Sequence, residues 1–191
     1  MVFTETTKTE TDLIQQAQAG DTWAFGELVR HHYSPVVNVA YRICGEMNLA
    51  EDMAQETFLR AWTNLNSFRL TGSMKNWLYR IAVNATLDVL RRKSDLPMDD
   101  EVIQMIQDPT PDPETSLVQK ERAENIQELL RALPLATRNV LVLREYGELS
   151  YQEIASILDI PIGTVMSRLN SARTRLRELL KDRPSMQEAY A

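Results

Sequence analysis

Residues 149–169 read LSYQEIASILDIPIGTVMSRL, two short runs of helical apolar spacing with almost nothing between them. Ser150 and Glu153 stand at the capping-box spacing, in which the hydroxyl accepts a first-turn amide and the carboxylate accepts the amide of the cap residue. A helix is therefore expected from Tyr151, with Ile154, Ala155 and Leu158 inward and Ala155 small where another helix must cross closely. Pro161 has no amide to leave unpaired, so a second helix is expected to begin there. Only Asp159 and Ile160 remain to turn the chain, and Asp is one of the few residues besides glycine that accepts a left-handed backbone.

At 3.6 residues per turn the second helix sorts into faces. Ile162, Val165, Leu169, Ala172 and Leu176 gather on one, which should bury against the first helix. Gly163, Thr164, Ser167, Asn170, Ser171 and Thr174 point the other way, flanked by Arg168, Arg173, Arg175 and Arg177. Short polar groups between basic walls suit a DNA major groove, since small side chains meet base edges while guanidinium groups reach phosphates. The pair reads as a helix-turn-helix. The competing reading is an ordinary αα-hairpin whose basic face is merely solvated.

A net charge of -6 argues against nucleic acid until the charge is divided along the chain. Residues 1–93 carry ten basic and ten acidic side chains, residues 94–119 carry none and seven, and residues 120–191 carry eleven and ten. From Pro161 to Arg183 there are six basic and two acidic residues, so the recognition helix is locally positive. The acidic stretch SDLPMDDEVIQMIQDPTPDPETS also holds four prolines, which predicts an extended linker. It divides the chain into a domain over 1–93, a linker over 94–119 and a domain over 120–191, each flank long enough to fold. Within the linker, VIQMI is the piece suited to a transient helix or to docking.

No apolar run approaches a membrane span, and the opening MVFTETTKTETD lacks a basic-then-apolar leader pattern. Cys44 is the only cysteine, which excludes an internal disulfide and fits a reducing cytoplasm. His31 and His32 are neighbours that diverge around a helix, so neither a metal site nor a cofactor is expected.

The first 93 residues read as helices throughout, which makes the fold class all-α. Thr11–Ala19 is amphipathic and stops at Gly20; Asp21 is placed to cap the next helix; Ser34–Pro35 has the form of a cap followed by a first-turn proline. Asn48 and Glu51 repeat the capping-box spacing ahead of LAEDMAQETFLRAWTNL. After a break at NSFRLTGS, Ser73 caps MKNWLYRIAVNATLDVLRRK, with Met74, Leu78, Ile81, Ala85 and Leu90 inward and basic residues in the last turn, where the helix dipole favours them.

Two features of this region exceed what packing requires. Glu51, Asp52, Gln55 and Glu56 form an acidic and amide-bearing stripe beside Met53, Phe58 and Trp62, against the plain reading of a solvated face. Phe68, Arg69 and Gly72 lead into a helix carrying Asn76, Arg80 and Asn84 at helical spacing. Aromatic, amide and guanidinium groups around a loop are the parts of a pocket for an unstacked base. Core packing of Phe68 and Trp77 is the plain alternative.

The order GDTWAFGELV, AEDMAQETFLRAWTNLNSF, WLYRIAVNATLDVLRRK, an acidic linker, then LREYGELSYQEIASILDIPIGTVMSRLNSAR resembles the extracytoplasmic-function (ECF) sigma factors of bacterial RNA polymerase. The resemblance implies two helical domains. The first would bind the polymerase clamp and melt the promoter −10 element, and the second would read the −35 element with its helix-turn-helix. It places Asp52, Gln55, Glu56 and Phe58 in the polymerase-binding helix. Phe68 to Met74 become the loop that captures a flipped −10 base, with Asn84 in support. Met166, Ser167, Asn170 and Ser171 fall at −35-reading positions, and Thr164, Arg168, Arg173 and Arg175 lie beside them. Core polymerase, promoter DNA and an anti-sigma factor are the implied partners, with no membrane insertion. The chain departs from the family pattern at Met166 and Ser171, where many members carry cations, so bidentate guanine contacts from those positions are lost. Two other classes compete. A helix-turn-helix regulator acting without polymerase leaves the Asp52–Trp62 stripe unexplained. A nucleic-acid enzyme needs a nucleophile, metal cluster or acid–base pair that the sequence does not offer.

Overall fold

The computed structural model describes residues 9–95 and 116–181, which are helical with no strand among them. In chain order the helices are α1 Glu10–Gln18, α2 Thr22–Cys44, α3 Met47–Asn64, α4 Met74–Asp95, α5 Ser116–Arg131, α6 Leu135–Glu145, α7 Tyr151–Leu158 and α8 Ile162–Lys181. One 3-10 turn, Leu65–Ser67, follows α3. Both ends of the expected linker are helical, because α4 continues to Asp95 and α5 starts at Ser116. Residues 96–115, with VIQMI, lie outside the described residues.

Local chemistry sets most of the helix ends. Thr9 caps α1 in a capping box with Asp12, and the Asp21 carboxylate accepts the amides of Trp23 and Ala24 at the start of α2. Ser73 Oγ accepts the amide of Asn76 at 3.3 Å, as expected for the start of α4. Ser150 and Glu153 form both bonds of their capping box, and Asp159 closes α7 in the left-handed region at φ 52°, ψ 50°.

Three expected helix starts are corrected. Ser34–Pro35 begins nothing: α2 runs unbroken through Pro35 to Cys44. Pro35 and His31 are both exposed, so the carbonyl that loses its amide partner lies on the solvent side, while Val36, Val37, Val39, Ala40 and Ile43 bury the other face. Asn48 and Glu51 form no cap, because α2 ends in the left-handed Gly45 and only Glu46 separates it from Met47, where α3 starts. Pro161 is the cap residue of α8 rather than its first helical residue; its carbonyl accepts the amides of Thr164 at 2.9 Å and Val165 at 3.2 Å.

The helices before the linker pack around α2, and α3 meets them with a face of small residues: Ala50, Ala54, Thr57 and Ala61 are all buried. Thr57 and Thr86 satisfy their hydroxyls on the carbonyls four residues back, Met53 and Ala82, at 2.6 and 2.8 Å. The second group, α5–α8, buries Val140, Val142, Leu143, Leu149, Ile154, Val165 and Leu169. Buried residues of both groups form one continuous apolar cluster.

Polar contacts also join the two groups at two places. At the C-terminus of α2, Arg138 Nη1 donates to the carbonyl of Ile43 at 2.7 Å, and Arg131 donates to that of Gly45. Gln127, 3% exposed, donates to the carbonyls of Tyr41 and Arg42 at 3.4 Å and accepts from Arg42 at 3.3 Å. Carbonyls left over at a helix end are thus satisfied by side chains from the other group. The second place, between α4 and α7, involves residues singled out in the sequence.

Candidate nucleic-acid interface

The helix-turn-helix forms as the sequence predicts except at Ile162, which is expected inward but is 41% exposed in the first turn of α8, ahead of the part of the helix that packs on α7. Ile154 and Ile157 of α7 bury with Val165, Leu169 and Ala172 of α8. The opposite face of α8 is open, with Met166 51% exposed and Ser167, Asn170, Ser171 and Thr174 also exposed. Thr164 and Arg168 are half-buried at its margins. Arg173 pairs with Glu145 at 3.7 Å and Arg175 with Glu178 at 3.2 Å, while Arg177 is exposed beside them. Ser167 donates its hydroxyl to the carbonyl of Thr164 at 3.0 Å, which leaves its oxygen as an acceptor.

The loop before α4 turns tightly, with the amide of Gly72 on the carbonyl of Arg69 at 2.9 Å. A Cβ on Gly72 would stand 3.3 Å from that carbonyl oxygen, so the turn favours glycine. Arg69 and Asn84 are exposed. Phe68 is not a free stacking surface: it is 7% exposed and packs on Trp77 with ring centroids 5.2 Å apart, so the core alternative describes its ring. Gln18 Nε2 donates to the carbonyls of Leu65 and Phe68, both at 3.0 Å, which ties the loop to α1.

Asn76 and Arg80 sit on the α4 face that meets α7. Asn76 Nδ2 donates to Glu153 Oε1 at 2.7 Å, and Arg80 Nη2 donates to the carbonyl of Ser156 at 2.7 Å. Lys75 approaches Glu148 at 3.8 Å. Tyr79 is buried in the same region; burial, and then the charge of Glu148, raise its phenol pKa. The Glu153 carboxyl is held below its ordinary range, first by the Ser150 hydroxyl and then by Asn76.

The acidic stripe of α3 divides between two grooves. Asp52 and Glu56 face α4, in a groove shared with Arg60, Asp88 and Arg92, and Glu56 pairs with Arg60 at 2.6 Å. Gln55 and Phe58 face α2, in an apolar groove with Phe25, Tyr33, Leu59 and Trp62. Phe58 is buried and lies against Tyr33, while Leu59 is 63% exposed. Sequence reasoning missed the aromatic wall supplied by α2. Its signal was present in Phe25, Val29 and Tyr33, which recur at helical spacing beside the exposed Trp23. It also missed Glu153 and Ser156 as partners of Asn76 and Arg80, for which no local pattern exists.

An open basic helix-turn-helix, a polar loop-and-helix surface and an apolar groove thus lie on one small helical chain. Residues 28–95 match the family model for Sigma-70 region 2, and residues 123–176 match that for Sigma-70, region 4. The chain is 39% identical to the ECF RNA polymerase sigma factor SigW of Bacillus subtilis over 88% of its own length and 95% of the relative's. It is 30% identical to the RNA polymerase sigma-H factor of Pseudomonas aeruginosa, over 96% and 99% of the two chains. Its fold is similar to the sigma factor RpoE solved in complex with the anti-sigma factor NepR from Bartonella quintana. The TM-score is 0.64 at 25% identity, covering 82% of this chain and 96% of that one. The chain belongs to the ECF sigma factors of RNA polymerase.

Proposed function

We infer that this chain binds core RNA polymerase and directs transcription from promoters whose −35 element it reads with α8 and whose −10 element it opens with the loop before α4 and with α4 itself. The observation that carries the reading is the open face of α8: short polar side chains are exposed at its centre and arginines at its edges. Asp52, Gln55 and Glu56 supply the polymerase contact from the crest of α3, with Phe58 as a wall of the adjoining groove. Arg69, Asn76, Arg80 and Asn84 supply the −10 surface. Phe68 supports it from beneath, by packing on Trp77, rather than by stacking on a base. Thr164, Met166, Ser167, Arg168, Asn170, Ser171, Arg173 and Arg175 form the −35 surface. Residues 1–93 and 120–191 act as the two functional domains, joined through 94–119.

The protein carries no chemistry of its own, works in the cytoplasm with the chromosome, and is held in check by an anti-sigma factor, as the solved relative with its bound NepR suggests. Among the described residues no helix is long and apolar enough to cross a membrane. The test is reconstitution with bacterial core polymerase on a pool of promoter fragments. Selective run-off transcripts that share −35 and −10 sequences are expected. A triple Asp52→Ala, Gln55→Ala, Glu56→Ala variant should keep its melting temperature, since exposed polar changes cost under about 0.5 kcal/mol, and lose affinity for core enzyme. Full affinity in that variant, or no selective transcript from the parent chain, refutes the reading.

A further inference from the structure

The loop before α4 is gripped at its first residue from two sides. At Phe68 the backbone leaves the 3-10 turn for an extended conformation, φ -70° and ψ 130°, so its carbonyl lies outside any helical ladder and takes its partner from elsewhere. Gln18 of α1 supplies that partner: one side-chain amide donates to the carbonyls of Leu65 and Phe68, both at 3.0 Å, and so clasps the two ends of the turn. The Phe68 ring is meanwhile packed on Trp77 of α4. Beyond this double hold Arg69, Leu70, Thr71, Gly72 and Ser73 are all exposed, with the Gly72 amide on the Arg69 carbonyl. Helix α1 is itself firmly placed. Leu13, Ile14 and Ala17 are buried, His32 of α2 lies 2.8 Å from Glu10, and the left-handed Gly20 turns the chain directly into the Asp21 cap of α2. The match to Sigma-70 region 2 begins at residue 28, after α1.

We propose that Gln18 is a positioning residue for −10 recognition: α1 is a strut whose amide clasp sets the direction in which Arg69 and the rest of the loop leave the 3-10 turn. The proposal rests on the assignment of this loop to the −10 strand. A side-chain amide suits the task because its NH2 group carries two donors, one for each carbonyl. Both bonds are between neutral groups, so they add little to global stability. Leu65, Phe68 and Met74 are buried by apolar packing, which holds the fold whether or not the clasp is made. Losing the clasp therefore frees the exposed tip and leaves the domain intact. A strand that binds only the set loop then meets fewer competent chains, and its apparent affinity falls by that fraction. Core polymerase and −35 duplex, assigned to the crest of α3 and to α8, meet no such loss.

The test uses the full chain assembled with bacterial core polymerase. The probes are the labelled non-template −10 strand and the −35 duplex of a promoter found in the transcription assay. Gln18→Met keeps the length of the side chain and removes both donors, while Gln15→Met makes the same change at an exposed position of α1 and serves as the control. A loop that is set in about one chain in ten without its clasp makes Gln18→Met bind the −10 strand about tenfold more weakly. Its affinities for core enzyme and for the −35 duplex should match those of the parent. Amide hydrogen exchange over residues 65–74 of the free chain should quicken in Gln18→Met and not in Gln15→Met. The losses should also be coupled: in an Arg69→Ala chain, whose loop has already given up its cation, adding Gln18→Met should weaken strand binding much less than it does in the parent. Unchanged exchange in the loop, faster exchange with no loss on the −10 strand, or an equal loss on strand, duplex and core enzyme overturns the positioning role. Full additivity with Arg69→Ala overturns it as well. Weaker strand binding by Arg69→Ala and Asn84→Ala with none from Gln18→Met sinks the clasp alone. No loss from Arg69→Ala and Asn84→Ala sinks the −10 assignment and the clasp with it.

Discussion

Asn170 and Arg175 are both exposed on α8, yet they should fail differently when removed. Arg175 reaches Glu178 at 3.2 Å, an exposed pair that exchanges readily for a phosphate. Arg175→Ala should weaken binding about equally on all −35 variants and lower the slope of log affinity against log salt by about one unit. Asn170→Ala should lose about 1–3 kcal/mol at an adenine it contacts and little elsewhere, and Met166→Arg should add a guanine preference at one position. Binding across a randomised −35 element at several salt concentrations checks all three; a uniform loss from Asn170→Ala would mean that the helix faces are misassigned. Glu153 makes a second residue-level prediction. Its pKa is depressed in the folded chain by Ser150 and then by Asn76, so its contribution to stability is present above the unfolded value of about 4.3 and is lost as pH falls through the folded value. Glutamine preserves the capping-box pattern. The melting temperatures of parent and Glu153→Gln should therefore differ at neutral pH and converge below about pH 4, whereas a gap independent of pH would refute the assignment. Both roles of Glu153 matter here, but only the cap was legible in the sequence. Ser150 lies three positions away, while Asn76 lies 77 positions away.

Whole elements were legible where their ends are set locally. The tight join of α7 to α8 follows from the Ser150–Glu153 box and the left-handed Asp159, and the structure reproduces it. Helix α2 was misread as two helices because Pro35 is a strong local stop, whereas the burial of Val36, Val37 and Val39 and the exposure of the proline are tertiary facts. The start of α3 was misplaced for a similar reason, since the Gly45 turn fixes it from the preceding helix. The Asp52–Glu56 stripe was seen, but its division between two grooves depends on where α2 and α4 lie. The small face of α3 also sets a test of packing. Ala54 is fully buried between neighbouring helices, so Ala54→Leu should overpack the site and destabilise the chain by about 1–3 kcal/mol, read from urea unfolding. A neutral Ala54→Leu would mean that the helices sit farther apart than described.

At the scale of the whole molecule, the all-α class and the helix-turn-helix could be read from the chain, but the contact between the two groups could not. Its bonds join positions 76 to 153, 80 to 156 and 43 to 138, and no periodicity links such distant residues. Because buried residues of both groups form one cluster, the full chain should unfold in a single cooperative step. Its three tryptophans, Trp23, Trp62 and Trp77, all belong to the first group, whereas circular dichroism reports helices of both. The two signals should give coincident denaturant curves, and separate midpoints would show that the groups fold independently. Gly45 carries a further consequence. Its backbone is left-handed at φ 78°, so a side chain at this one position strains the turn between α2 and α3, and the Arg131 guanidinium that lies against it must move aside. Position 45 lies outside both DNA surfaces and the α3 crest. Every missense change at this codon is thus a change in the stability of the α2–α3 turn rather than in promoter choice, and the position should tolerate few alleles.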